Sequence, residues 1–383
     1  MLNQDALDFI QANTPFAQDL LMALAQIPSP SLHEEKRAQF CKALLESWGA
    51  RDAYIDEALN VVLPMDIDSG KPLVVFTAHS DVVFPDTSVL PLRDDGERLF
   101  CPGIGDNTAN LTTLLLCMKY IISRRLQPRK FGVLFVANAG EEGLGNLKGT
   151  RRIDADYGSR IKEFYSFDGK INGITDHAVG SKRFRVTVRT AGGHSFSGFG
   201  NKNAIAELSS IIADIYHIQI PDDGIATYNV GTIEGGLSIN SIPAQASMLC
   251  EYRADSLRNM KYMDKRFRNI FLAHHQSDVG VEVDELGCRP CEAMGFFAEK
   301  RRQEMVRTAE ETIRRYNPNL QVFICSGSTD CNIPLSKGIP SICFGFYSGA
   351  GAHTRNEYLW KSSLVPGYKV CFDTVLPYFQ PAL

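Results

Sequence analysis

The chain has 383 residues, 44% hydrophobic and 22% charged, with a formal net charge of −4, so it is an ordered globular chain long enough for two or three domains. The small negative charge gives no reason to expect nucleic acid, and the most apolar stretches stop short of a membrane span, as residues 111–122 do with Thr112, Thr113 and Lys119 inside them. The start, Met1 to Asp5, has no basic segment followed by an apolar one, so no signal peptide is expected. Ten cysteines, several in apolar stretches (Cys117, Cys250, Cys325, Cys343), read as small core residues in a reducing compartment, which points to the cytoplasm. Cys288 and Cys291 have CxxC spacing but no second such pair, and they read as structural.

Up to about residue 179 helical and strand patterns alternate, as an α/β domain requires, with helices expected at 16–27, 34–48 and 108–126. Residues 73–76 are a continuous β-branched and aromatic run, suited to a strand buried on both faces of a parallel sheet. His79 stands at its end, where open α/β sheets place their ligand crevices. Asp81, two residues on, is close enough to accept the other ring N–H of His79 and fix its tautomer. Next, Asp106 precedes a helix. It is either an ordinary N-cap or a carboxylate bridging two cations, with Gly103 and Gly105 allowing a close backbone approach.

A second buried-type strand, from Phe131, runs into Gly140-Glu141-Glu142-Gly143. Adjacent carboxylates after an apolar strand are costly unless a cation or a proton relieves the repulsion, and one can bind metal while the other acts as base. Asp168 ends a further short strand, 163–167. From residue 180 the order becomes strand, helix, strand, strand, helix, strand (181–190, 204–218, 226–233, 246–253, 257–275, 279–286), a split βαβ unit with one sheet face available to pair with another copy. The α/β pattern then resumes with a helix at 300–316 and strands at 322–325 and 341–344, the last leading through a Gly/Ala loop to His353.

Two histidines and three carboxylates, His79, Asp106, Glu142, Asp168 and His353, thus repeat one grammar of strand, turn and ligand, with Glu141 beside the third. Five side chains are too many for a single tetrahedral zinc that keeps an open position, and they suit two close divalent ions. In order and context, His79-x-Asp81, Gly105-Asp106-Asn107, Glu141-Glu142-Gly143, Asp168 and Ala352-His353-Thr354 resemble the co-catalytic di-zinc peptidases. That family includes the aminoacylases, acetylornithine deacetylase, glutamate carboxypeptidase and peptidase T. Further matches are Ile27-Pro-Ser-Pro-Ser31, Gly192-Gly-His194, Asn203-Ala-Ile205, Glu234-Gly-Gly236, Asn240-Ser-Ile-Pro243 and Gly327-Ser-Thr-Asp330, so the resemblance spans almost the whole chain.

The resemblance implies a zinc-peptidase-like α/β catalytic domain with a central, mostly parallel sheet, formed by residues 1–179 and 291–383. It implies an inserted ferredoxin-like α+β lid and dimerisation domain at 180–290. His79 and Asp168 would hold one metal, Glu142 and His353 the other, with Asp106 as the bridge. Glu141 would be the general base, since a fourth ligand carboxylate would add surplus negative charge and leave no base. The Asp106–Asn107 peptide would be cis. His194 would stabilise an oxyanion in the partner's site, although Ser195-Phe-Ser-Gly follows it where many relatives carry proline. Asn240 and Arg253 would contact substrate, Arg253 because its fork suits a carboxylate. The metal would be zinc, with manganese or cobalt as alternatives. The substrate would be a small peptide, because Asp in the Asp168 position accompanies peptidase T-like and dipeptidase-like members. The alternatives are an N-acyl amino acid deacylase and a metal-dependent binding protein without chemistry, which would need the ligands but not Glu141.

Overall fold

The computed structural model describes residues 1–382. The chain forms two compact units, residues 1–177 with 293–383, and residues 178–292. The insertion therefore runs to 292 and not 290, because Cys291 packs into the second unit and donates its thiol to the Ala254 carbonyl at 3.1 Å.

The first unit is built on one eight-stranded sheet. Its strands are β1 (Tyr54–Ile55), β2 (Val61–Met65), β3 (Leu73–His79), β4 (Gly132–Asn138), β5 (Ile161–Ser166), β6 (Gly173–Ala178), β7 (Phe323–Gly327) and β8 (Ser341–Phe344), in the order β1-β2-β4-β3-β5-β8-β6-β7. The middle four, β4, β3, β5 and β8, run parallel, and the pairings β1–β2, β2–β4 and β8–β6 are antiparallel. Strands β3 and β4 are buried at every residue, as central parallel strands are. Inside, Phe76 stacks on Phe135, Tyr165 and Phe167 with ring centroids 5.6, 5.2 and 6.0 Å away. Each such ring, taken out of water, contributes about 1.5–3 kcal/mol.

Register decides where the ligands emerge. His79 pairs with Asn138, Thr77 with Ser166, and Cys343 also with Ser166. The parallel strands therefore finish at one edge, and the turns after them share one crevice.

Helix α1 spans Gln4–Gln26, starting well before the expected residue 16 and running through Pro15. The Asn3 side chain caps it by accepting the Ala6 N–H at 2.9 Å. Ala6, Phe9, Ile10, Ala17, Leu20, Leu21 and Leu24 keep one apolar stripe on both sides of the proline. Helices α2 (Glu35–Ser47) and α3 (Asn110–Ser123) lie where the period places them. A small sheet the sequence does not announce joins Gly349–Ala350, Tyr358–Trp360, Arg98–Phe100 and Arg93–Asp94. Strands of two or three residues carry no readable period.

The second unit has a four-stranded antiparallel sheet in the order Ala226–Gly235, Gln245–Ala254, Gly180–Arg189, Gly280–Arg289. Its helices are Ala204–Tyr216, capped by Asn203, and Leu257–His274, capped by Ser256. Leu208, Ile211 and Ile215 from the first and Met263, Phe267 and Phe271 from the second pack with Phe184, Val186, Val188, Met248 and Cys250 of the strands. Asn203 is thus a helix cap. Among the described residues no helix is long and apolar enough to cross a membrane.

Candidate metal centre

Asp106 does not serve as the N-cap of α3, which begins four residues later with Ala109 in the cap position; its own backbone is extended (φ −99°, ψ 94°). The Asp106–Asn107 peptide is cis. One Asp106 carboxylate oxygen lies 3.2 Å from His79 Nε2 and the other lies 3.2 Å from His353 Nε2. Asp168 Oδ1 approaches His79 Nε2 at 3.7 Å, and Glu142 Oε1 approaches His353 Nε2 at 3.1 Å. The ligating atoms therefore form two triads, His79–Asp106–Asp168 and Asp106–Glu142–His353, each within 4.8 Å and sharing Asp106. His79, Glu141 and Glu142 form a third group within the same limit.

The turn that presents Asp106 is packed without slack. A Cβ on Gly103 would meet Val82 Cγ1 at 2.4 Å, and one on Gly105 would meet the Tyr347 ring at 2.5 Å. The Asn107 amide donates to the Phe167 carbonyl at 2.8 Å, tying this turn to the residue before Asp168. His353 sits in the left-handed region (φ 64°), two residues after Gly351 at φ 78°.

Asp81 behaves differently from the expectation. The contact of His79 Nδ1 is with the Asp81 backbone carbonyl at 3.0 Å, while the carboxylate is 3.5 Å away. That carboxylate instead accepts the backbone N–H groups of Glu141 (3.0 Å) and Glu142 (2.9 Å) and the Ser31 hydroxyl (2.6 Å). Asp81 orients the imidazole through its main chain and the two glutamates through its side chain. Ser31, from the Ile27–Ser31 motif, thereby acquires a local role.

Two residues of this site, Arg37 and Glu357, escaped the sequence reading, and a third, Asp330, entered it only as the end of a motif without a role. Fully buried Arg37 on α2 donates to the carbonyls of Ile27 (3.0 Å) and Ser80 (3.0 Å) and to Thr108 Oγ1 (3.1 Å), bracing the turns after His79 and Asp106. Burial pushes its guanidinium down to about 10. Asp330 is buried behind β4, accepting from Asn138 Nδ2 (2.7 Å) and Thr150 Oγ1 (2.5 Å), and burial raises its carboxyl. Glu357 accepts three backbone N–H groups of the Asp106 turn. Lone charged residues in a helix or loop ordinarily read as solvated, and only the fold shows that these are buried.

The electrostatics fit divalent cations. Burial works against charge on His79, but hydrogen bonds to Asp106 and Asp168 outweigh it and hold its imidazole well above the ordinary value. Asp106 and Glu142 hold His353 up to about 10. Asp106 feels burial most, yet its bonds to His353 and His79 leave it well below the usual carboxylate range. Burial raises Glu142. Three converging carboxylates thus draw protons onto both histidines, the positive charge that metal ions would otherwise supply.

A divalent ion takes the neutral imidazole, so loading should expel these protons. Metal affinity is expected to rise with pH from neutrality towards pH 10, with one to two protons released per pair of ions. Calorimetric titration in buffers of different ionisation enthalpy measures this release, and a pH-independent affinity with no release would contradict it. In the metal-free protein the sign is opposite. The raised His353 pKa stabilises the fold below its unfolded value, and that contribution fades as pH rises through about 10.

The candidate residues of the second unit divide into two places. His194, in the short strand Gly193–His194, pairs with Ser241–Ile242, and Ser195 N–H donates to the Asn240 carbonyl at 3.0 Å. His194 Nδ1 accepts from the backbone of Phe196 (3.3 Å) and Ser197 (3.4 Å), so the neutral ring carries its proton on Nε2. Arg253 lies at the far end of Gln245–Ala254, about 26 Å along the strand from its start. Its guanidinium is held by Glu251 at 2.8 and 3.3 Å. The unit therefore brings His194 and Asn240 together and keeps Arg253 apart from them.

A sheet whose four middle strands run parallel, with two candidate ligand triads sharing one carboxylate at their carboxyl edge, is an arrangement suited to a dinuclear metallohydrolase. Residues 75–376 match the profile of peptidase family M20/M25/M40, and the chain belongs to that family of hydrolases, peptidases and amidohydrolases acting on C–N bonds. A Pyrococcus abyssi relative, whose name proposes it as a LysW-lysine/LysW-ornithine hydrolase, is 30% identical over 345 residues, covering 88% of this chain and 86% of its own. The structure is similar to that of a tripeptidase from Staphylococcus aureus (TM-score 0.74, 20% identity, 95% of this chain and 98% of that one). It is also similar to the YXEP protein of Bacillus subtilis, described as a dinuclear metal-binding peptidase (TM-score 0.62, 16% identity, 96% and 99%).

Proposed function

We propose that this chain is a di-metal-dependent hydrolase that cleaves the amide bond of small peptides, in the manner of an aminopeptidase or dipeptidase. The observation that carries the reading is the pair of triads sharing Asp106, with Glu141 beside them and outside both. His79 and Asp168 would hold one ion, Glu142 and His353 the other, and Asp106 both. When bound, such ions polarise the scissile carbonyl and lower the pKa of water. Glu141, 5% exposed and fixed at its backbone by Asp81, takes the proton of the attacking water and passes it to the leaving amine. The Nε2–H of His194 is suited to donate to the oxyanion, and Asn240, bonded to the next residue, to contact the substrate. A substrate carboxylate on Arg253 would first have to displace Glu251.

Zinc is the default ion, and the mixed N/O donor set also suits manganese or cobalt. Asp at position 168 and the likeness to a tripeptidase support peptides. The name of the Pyrococcus relative favours, as a second reading, release of an amino acid from a larger acyl group. Incubation of the purified protein and each metal with di- and tripeptides and N-acyl amino acids tests both. Free amino-terminal residues as products support the peptidase, release only from acylated amino acids supports the deacylase, and no turnover with any metal defeats both. Ten free thiols support a reducing, cytoplasmic setting.

We further propose a homodimer through residues 180–290, with His194 serving the partner's centre. The edge strands Ala226–Gly235 and Gly280–Arg289, and the exposed Ile233, Leu237 and Ile239, support it. Mixing His194→Ala with Glu141→Gln chains, each inactive alone, should restore part of the activity, because mixed dimers then hold one intact site. Absence of recovery in demonstrated mixed dimers would place His194 in its own chain's site.

A further inference from the structure

Glu357 is outside the ligand set, and its position has a specific consequence for it. The residue is 1% exposed. Its Oε2 accepts the Gly103 N–H at 2.7 Å, and its Oε1 accepts those of Gly105 at 2.9 Å and Asp106 at 2.7 Å. Among the described residues no Lys, Arg or His lies within ion-pair distance of it, so three main-chain N–H groups alone hold this buried carboxylate, and burial pushes its pKa up to about 7. The Glu357 carbonyl accepts the Cys101 N–H at 3.2 Å, and Tyr358–Trp360 pairs with Arg98–Phe100, so its main chain is bound to the strand that enters the same turn.

Asp106 must turn one oxygen to each half of the centre, and a side chain of two rotatable bonds can do so reliably only if its backbone is fixed. The Asp106 N–H is fixed by Glu357, and the next residue is tied down through its side chain, Asn107 Nδ2 donating to the Phe167 carbonyl. Gly103 and Gly105 have no room for a side chain, so the turn cannot shift to find other partners. We propose that Glu357 is a positioning residue for the bridging carboxylate, setting the backbone of Asp106 and through it the metal affinity of both halves of the centre. This rests on the di-metal reading of the site.

The test is metal binding, read apart from turnover. In Glu357→Gln one oxygen becomes an NH2 group facing a backbone N–H, donor against donor. In Glu357→Asp the carboxyl group remains but is withdrawn by one methylene. Zn²⁺ affinity is measured by competition with a chromophoric chelator, and the melting temperature of the metal-free protein is measured alongside. Glu357→Gln should bind both ions ten- to a hundredfold more weakly than wild type, the usual cost of losing a partner behind a metal ligand. Glu357→Asp should lose less. Turnover at limiting Zn²⁺ should fall with KM unchanged and recover as Zn²⁺ is raised. Wild-type affinity in both variants, or metal-free forms that no longer fold, would make the role purely structural and overturn the proposal. A wild-type chain that takes up fewer than two ions would defeat the di-metal reading and this inference with it.

Discussion

Glu141→Gln is expected to keep two metal ions and lose turnover by about a hundred- to ten-thousandfold, the range for removal of a general base. The substitution preserves size and the backbone bond to Asp81, so the turn should not move. It removes the group that can accept a proton. Glu142→Gln should do the reverse, weakening one ion, because Glu142 belongs to the triad with His353 and Asp106 while Glu141 belongs to neither shared triad. Elemental analysis after gel filtration, together with kcat on the best substrate, separates the two. A Glu141→Gln chain that loses an ion and keeps its rate would show the roles to be exchanged.

The larger structural effect is expected from Asp106→Ala. Each half of the centre then keeps two protein ligands, His79 with Asp168, or Glu142 with His353. Two protein ligands hold an ion far less tightly than three. Metal content should drop below one ion per chain and turnover should vanish. The same substitution removes the largest cause of the raised His353 pKa, so its imidazole should titrate closer to its ordinary range in the metal-free protein. NMR titration of the ring protons would show this. Retention of two ions by the variant would exclude Asp106 as the bridge.

Much of the centre was legible because each ligand follows an apolar run with a readable period. Residues 73–76 and the run from Phe131 read as buried strands, and a ligand placed after such a strand emerges at the sheet's edge. The short strands of the 349–360 region had no such period, and so Glu357, four residues past His353, read as one more loop carboxylate. Arg37 sits on a helix whose inward positions include Ala38, Cys41 and Leu45, but a charged residue among them reads as surface until the packing is seen. The first helix was expected only from residue 16, but its stripe from Ala6 to Leu24 carries it through Pro15, since burial of that face outweighs one lost backbone bond.

By itself the sequence determined which residue types follow the strands, and hence a donor set suited to two divalent ions, because ligand identity and strand period are local properties. Which partner each carboxylate takes was decided only by tertiary structure. Asp81 turned its side chain to the glutamates and its carbonyl to His79, and Glu357 came from some 250 residues away to hold the Asp106 turn. Those choices depend on strand register and on hydrogen bonds between distant segments, and neither leaves a periodic trace along the chain.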